Sequence, residues 1–84
     1  MPETTMFAEL EFTDEVKILC SINDRFDYEP EPVKQIRLSY AHILDRLTKS
    51  RDKAGRSPAG RDINIAITHT EDACIREVKA FWIK

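Results

Sequence analysis

Two long amphipathic segments, separated by a break at residues 54–60, leave few folds open to this chain. In the first segment, over residues 32–53, apolar residues recur at steps of three and four, which places them on one face of a helix. These residues are Val33, Ile36, Tyr40, Ile43 and Leu47. The break contains Ala54-Gly55 and Ser57-Pro58-Ala59-Gly60, which are typical turn sequences. The pattern predicts that a second helix over about residues 61–81 folds back on the first.

The second segment has more apolar surface than one partner helix can cover. At about 100° per residue, its apolar band spans roughly 160°, and Ile75 and Trp82 extend it to roughly 220°. A chain of 84 residues also buries too little surface to be comfortably stable as a monomer. Its two cysteines and two histidines match no disulfide framework or zinc spacing. The sequence therefore predicts a homo-oligomer.

The N-terminal part of the chain alternates between apolar and polar residues over residues 6–12 and 16–22. This period of two favours two strands joined by a turn at residues 13–15. The alternative is a short helix with Thr13 as its N-cap and two acidic residues in its first turn. We expect strands, and hence an α+β fold in one domain, residues 1–84. A short β-hairpin or arm over residues 1–24 would precede the helical hairpin of residues 25–84, and an all-α fold is the alternative.

The net charge of −2 hides two halves of opposite sign. Residues 1–31 carry nine acidic and two basic side chains, whereas residues 32–84 carry six acidic and eleven basic ones. A basic cluster occupies residues 46–61 and consists of Arg46, Lys49, Arg51, Lys53, Arg56 and Arg61. This cluster indicates either a solvated surface or a site for an anionic ligand. If the second helix begins near Arg61, free backbone N–H groups there would favour a phosphate or carboxylate.

Residues suited to catalysis do not form a recognisable set. His42 and His69 lie on different predicted helices, and Cys20 and Cys74 both fall on apolar faces. We therefore expect no enzymatic activity, no cofactor and no metal. The start of the sequence has no signal-peptide pattern, and no apolar run is long enough to span a membrane. These features predict a cytoplasmic protein with reduced thiols and no membrane partner.

Several short motifs, in the same order and with similar spacing, resemble a phage family of helical-hairpin proteins. The motifs are Phe26-Asp27-Tyr28-Glu29-Pro30, Gln35-Ile36-Arg37, the run from Ser57 to Thr68, and Glu71-Asp72-Ala73. The family comprises the anti-CBASS and Thoeris anti-defence nucleotide sponges, and the resemblance covers roughly residues 25–83. The sequence departs from the family pattern at Gly60, Asp62 and Asn64, where the family tends to have Ser, Glu and Ser. The spacing between Tyr28 and Pro30 is also one residue tighter.

The resemblance implies a function that the residue pattern alone does not. Family members bind cyclic oligonucleotides or cyclic ADP-ribose isomers in the infected host cell and hold them without cleavage. They assemble as dimers or hexamers with ligands at subunit interfaces. The implied ligand-binding residues are Arg61 for a phosphate, with Asp62 and Thr68 beside it, and Phe26 or Tyr28 for stacking on a base, with Tyr40 as a further stacking candidate.

Two other functions fit the sequence. The wide apolar face of the second helix would suit a small oligomeric adaptor that binds a protein partner. The basic cluster would suit a hairpin that binds long nucleic acid, but the net charge of −2 and the acidic residues Asp45 and Asp52 within the cluster argue against it. We expect the nucleotide sponge, and no binding to long nucleic acid.

Overall fold

A computed structural model describes residues 10–83 of the chain, and these residues are helical wherever they have regular structure. The first helix, α1, spans Asp14–Leu19, and a 3-10 turn follows at Phe26–Tyr28. Two long helices complete the fold: α2 spans Glu31–Ala54 and α3 spans Pro58–Trp82. The helices α2 and α3 pack against each other as an antiparallel hairpin, and α1 packs against α2. This arrangement confirms the predicted helical hairpin.

The predicted α+β fold class is wrong, because no strand occurs among residues 10–83. Most of the first predicted strand, residues 6–9, lies outside the described residues, and residues 10–12 have no regular structure. The second predicted strand falls on α1 and the residues that follow it. Thr13 caps this helix, since its Oγ1 accepts a hydrogen bond from the Val16 amide at 3.3 Å. The alternative from the sequence, an all-α fold with a short N-terminal helix, describes these residues correctly.

The side chains of α1 show why the alternating pattern was misleading. Val16 and Cys20 are four residues apart, a spacing that puts two residues on one face of a strand and also on one face of a helix. Both are fully buried, as either interpretation requires. Ile18 distinguishes a strand from a helix, because a strand would bury it beside Val16 whereas a helix turns it outward. Ile18 is 75% exposed, which is the helical outcome.

The turn between α2 and α3 is tight and depends on its two glycines. Gly55 ends α2 with a φ of 65°, a backbone conformation that residues with a side chain rarely adopt. Gly60 lies in the first turn of α3, and a Cβ there would overlap the carbonyl oxygen of Gly55. The absence of a side chain at residue 60 therefore allows the two helices to approach closely where they meet.

The core forms where α1, the 3-10 turn and the two long helices meet. Its buried apolar cluster consists of Val16, Cys20, Ile22, Phe26, Ala41, Leu44 and Ile67. Two arginines of α2 also form hydrogen bonds with residues that precede α2 in the chain. Arg37 binds the carboxylate of Glu29 and the carbonyl of Cys20, and Arg51 binds the carboxylate of Glu15 on α1. The hydrogen bond from Arg51 lowers the pKa of Glu15.

Candidate functional site

An open groove lies against the hairpin turn and the first half of α3. It encloses about 400 Å³ and is lined by Gly55, Arg56, Ser57, Arg61, Asn64, Ile65 and Thr68. Two of the residues that the sequence singled out for ligand binding, Arg61 and Thr68, therefore line the same groove. The groove supplies two guanidinium groups, an amide and hydroxyl groups, and none of its seven lining residues carries a carboxylate.

The basic cluster of residues 46–61 divides into paired and unpaired side chains. Lys49 binds Asp45 at 2.9 Å, and Arg51 binds Glu15 and Asp52. Within residues 10–83, by contrast, neither Arg56 nor Arg61 forms a salt bridge. The two arginines at the groove are therefore not ion-paired with a carboxylate of the described residues, and both are exposed to solvent. That combination favours an anionic ligand.

The backbone at the start of α3 offers less to an anion than the sequence predicted. The helix begins three residues earlier than expected, at Pro58, with Ser57 as its N-cap. Pro58 has no N–H group. The amide of Gly60 donates to Ser57 Oγ at 3.2 Å, and the amide of Arg61 donates to the Ser57 carbonyl at 3.1 Å. Most of the backbone donors at the start of α3 are thus absent or occupied, so recognition in the groove depends on side chains.

Side chains from successive turns of α3 share the groove. Arg61, Asn64, Ile65 and Thr68 are spaced at three and four residues, which places them on one face of the helix. Thr68 Oγ1 donates to the Asn64 carbonyl at 3.2 Å, and its oxygen remains able to accept a further hydrogen bond. Arg56 was predicted only as a member of the basic cluster, and Asn64 and Ile65 were not predicted to bind a ligand. Helical spacing from Arg61 was the signal that could have found the last two.

The aromatic residues that were predicted to stack on a base do not line the groove. Phe26 is fully buried in the core, with Lys34 Nζ at 5.3 Å from its ring centroid, and has no exposed face for a base. Tyr40 is partly buried and donates its hydroxyl to Glu77 at 2.8 Å, a hydrogen bond that raises the pKa of Tyr40. Tyr28 is 90% exposed and thus has a free ring face. Asp62 is exposed but does not line the groove.

Tyr28 and the groove lie at opposite ends of the hairpin. Tyr28 precedes the first residue of α2, whereas the groove is built around the turn that follows its last residue. At 1.5 Å per residue, α2 separates these ends by about 35 Å. One copy of the chain therefore does not bring Tyr28 and Arg61 to a single small ligand.

A second groove of about 460 Å³ lies between residues 10–12 and α2. Phe12 packs edge-on against His42 there, with ring centroids 5.0 Å apart. Its lysine, Lys49, binds Asp45, and Glu11 adds a second carboxylate to the lining. This mutual pairing makes the second groove less suited to an anion than the groove at Arg61.

The two cysteines are buried and unoxidised. The neighbouring Cys74 thiol and burial raise the pKa of Cys20. The raised pKa disfavours the reactive thiolate form. Within residues 10–83, no three His, Cys, Asp or Glu side chains are grouped so that they could hold a metal ion.

The fold and the groove define a small helical-hairpin protein with a cationic groove at its turn. A scan against models of protein families, a search of curated proteins and a search of solved structures each gave no match to the chain. Across the described residues, no helix has both the length and the apolar character needed to cross a bilayer.

Proposed function

We propose that this protein binds a cyclic nucleotide immune signal, a cyclic oligonucleotide or a cyclic ADP-ribose isomer, and sequesters it intact. The protein would act as an anti-defence sponge in the cytoplasm of an infected host cell. Sequestration requires a site for the ligand's phosphates and slow release, and it needs no general base. The ligand class comes from the resemblance described above, and the groove at Arg61 is the proposed site.

The observation that carries this proposal is the shared location of Arg61 and Thr68. The resemblance selected these two residues, and the groove adds Arg56, which is a second guanidinium without a salt bridge to the described residues. Guanidinium groups bind phosphate oxygens through paired, charge-assisted hydrogen bonds. Two of them in one groove suit a ligand with more than one phosphate.

The groove's size and mixed chemistry also fit such a ligand. Its volume of about 400 Å³ lies within the range of small-molecule sites. Ile65 is 51% exposed and offers an apolar surface to a ribose or base, while Asn64 offers an amide that can donate and accept hydrogen bonds. The groove thus supplies contacts for each chemical part of a nucleotide.

The test is titration calorimetry with a panel of cyclic dinucleotides, cyclic trinucleotides and cyclic ADP-ribose isomers. At least one member should bind with a Kd below about 10 μM, which corresponds to about 7 kcal/mol. Heating the complex and analysing the released ligand should recover it unchanged. The proposal fails if the whole panel binds more weakly, and a hydrolysed product would indicate an enzyme instead.

A pair of matched variants tests the position of the site. Arg61→Ala removes a guanidinium from the groove and should weaken binding at least about tenfold, or 1.4 kcal/mol. Arg46→Ala removes an exposed arginine of the same basic cluster that does not line the groove, so its Kd should stay within about twofold. Equal weakening by both variants would mean that general positive charge, rather than this groove, attracts the ligand.

Salt dependence separates the proposal from binding to long nucleic acid. A protein that covers many phosphates of a duplex loses affinity steeply with salt, whereas a groove that contacts two phosphates loses far less. We expect a slope of log K against log salt no steeper than about −2 for the cyclic ligand. A slope several times steeper, with tight binding to duplex DNA or RNA, would favour the nucleic-acid function.

A further inference from the structure

The two cysteines of the chain are buried at the same place in the fold, and the proposed function uses neither of them. They are 54 positions apart in the sequence. Cys20 directly follows the last residue of α1 and is fully buried, and Cys74 lies on α3 and is 1% exposed. A single buried cysteine commonly serves as a small apolar side chain. Two buried cysteines beside each other can also undergo a redox reaction.

Hydrogen bonds from two adjacent turns of α2 bring the cysteines together. Arg37 Nη1 donates to the Cys20 carbonyl at 3.0 Å, which holds the end of α1 against α2. Three residues further along α2, the Tyr40 hydroxyl donates to Glu77 Oε1 at 2.8 Å. Glu77 lies one turn after Cys74 on α3. The same short stretch of α2 therefore contacts the chain next to both cysteines.

A small residue occupies this stretch of α2. Ala41 is fully buried, follows Arg37 by four residues on the same face of the helix, and belongs to the same buried cluster as Cys20. Its methyl group takes up little of the space between α1 and α3, which a larger side chain would fill. The thiols of Cys20 and Cys74 are neighbours there.

The two thiols differ in their readiness to ionise. The neighbouring Cys20 thiol, and to a smaller extent the positive charge of Arg37, lower the pKa of Cys74. The pKa of Cys20 is raised, as described above. Because the thiolate is the nucleophilic form of cysteine, Cys74 is the better nucleophile of the pair.

We propose that Cys20 and Cys74 form a reversible disulfide when the protein meets a peroxide, and that this bond fastens α1 to α3. First, the Cys74 thiolate attacks one oxygen of hydrogen peroxide, the O–O bond breaks, and hydroxide leaves a sulfenic acid on Cys74. The Cys20 thiolate then attacks the sulfenic sulfur, so the S–S bond forms and the S–O bond breaks with loss of a second hydroxide. The hydroxides take up the two thiol protons, so two thiols and one peroxide give one disulfide and two waters.

Both sulfur atoms are buried, so the reaction requires a local opening of the fold. The helix α1 has six residues and is shorter than helices that persist on their own in water. Short segments of this kind open more readily than the core as a whole. Release of α1 from the hairpin exposes Cys20 at its end and uncovers Cys74 on α3, which gives a peroxide access to both.

The disulfide should stabilise the folded chain. It closes a loop of more than half the sequence, and the entropy that such a bond removes from the unfolded chain grows with the size of the loop. The linked thiols are already neighbours in the fold. The bond also lies about 20 Å along α3 from Arg61, so this proposal does not rest on ligand binding in the groove.

Peptide mapping without reductant, after treatment with hydrogen peroxide, tests the bond. A proteolytic peptide that contains Cys20 should appear joined to one that contains Cys74, at about 2 Da below the sum of their masses. Dithiothreitol should separate them. The proposal is overturned if both cysteines stay reduced after about an hour, or if they gain oxygen without becoming joined.

Thermal unfolding followed by circular dichroism tests the effect of the bond. The oxidised wild type should melt at least about 10 °C above the reduced protein, and dithiothreitol should reverse the shift. Cys74→Ala is the matched control, because it keeps Cys20 without a partner, and peroxide should not raise its melting temperature. If Cys74→Ala does not fold, Cys20→Ala serves the same purpose, and the peptide map of the wild type needs no variant.

Two results would contradict the stabilising role. One is a joined pair of peptides in a protein whose melting temperature is unchanged, and the other is an equal rise in the wild type and in Cys74→Ala. Oxidation of methionine does not mimic the expected result, since dithiothreitol does not reverse it. These measurements use no nucleotide, so their failure leaves the proposed ligand binding standing, and failure of the ligand panel leaves the disulfide standing.

Discussion

Replacing Arg37 with methionine should destabilise the protein more than any other single charge deletion on α2. Its guanidinium donates from Nε and Nη2 to the Glu29 carboxylate at 2.8 and 2.9 Å, and from Nη1 to the Cys20 carbonyl at 3.0 Å. The Arg37 side chain is 14% exposed and that of Glu29 is 18% exposed. Arg37→Met therefore removes three hydrogen bonds and leaves a largely buried carboxylate without its cation.

The expected size of the effect follows from that burial. Breaking a fully buried ion pair by removing one partner costs about 3–5 kcal/mol. Because Glu29 keeps some contact with water, we expect a loss at or just below the lower end of that range, about 2–3 kcal/mol. The whole domain should be stable by only about 4–12 kcal/mol, so the loss is a large fraction of the total.

Urea unfolding followed by circular dichroism at 222 nm measures the free energy of unfolding. All variants are measured at the same protein concentration, because the apparent stability of any oligomer depends on it. Lys49→Met is the matched control, since Lys49 binds Asp45 in an exposed i,i+4 pair and its loss should cost no more than about 0.5 kcal/mol. If Arg37→Met costs no more than Lys49→Met, the structural role assigned to Arg37 is refuted.

Three further predictions concern the helix ends and the attachment of α1. Gly60→Ala should lower the melting temperature and cost about 1–3 kcal/mol, because its Cβ displaces the carbonyl of Gly55; an unchanged melting temperature would contradict the close approach. Thr13→Ala should cost about 1 kcal/mol in urea unfolding through loss of the N-cap, and no loss would mean that α1 does not need it. The hydrogen bond from Arg51 lowers the pKa of Glu15 in the folded state, so its contribution is present above the ordinary glutamate pKa and is lost as the pH falls through the folded value. The stability difference between the wild type and Glu15→Gln should therefore shrink from pH 7 to pH 3, and a constant difference would contradict the pairing.

The hairpin was predictable from sequence because its apolar stripes repeat over many turns. The start of α3 was harder to place, although the sequence contained the signals. Ser57 followed by Pro58 is both a common turn and a common helix start, in which serine caps the helix and proline occupies the first turn. In the structure, Ser57 caps α3 and Pro58 is its first residue. That difference of three residues moves Arg61 out of the first turn and removes most of the expected backbone anion site.

The contacts of Arg37 could not be predicted from any local pattern. Its partners, Glu29 and the Cys20 carbonyl, lie 8 and 17 residues away, on an extended linker and at the end of another helix. Helical spacing predicts which residues share a face, but it does not fix where a linker returns to that face. The same limitation applies to Arg51 and Glu15, which are 36 residues apart.

The predicted ligand-binding residues lie far apart for a geometric reason. A helix of 24 residues places the segment before it and the turn after it about 35 Å apart, so Tyr28 and Arg61 of one copy cannot share a small ligand. The end of the hairpin that carries Tyr28 also carries Trp82, because α2 and α3 run antiparallel. Within one copy, the cationic groove at Arg61 and the exposed rings of Tyr28 and Trp82 therefore lie at opposite ends of the hairpin.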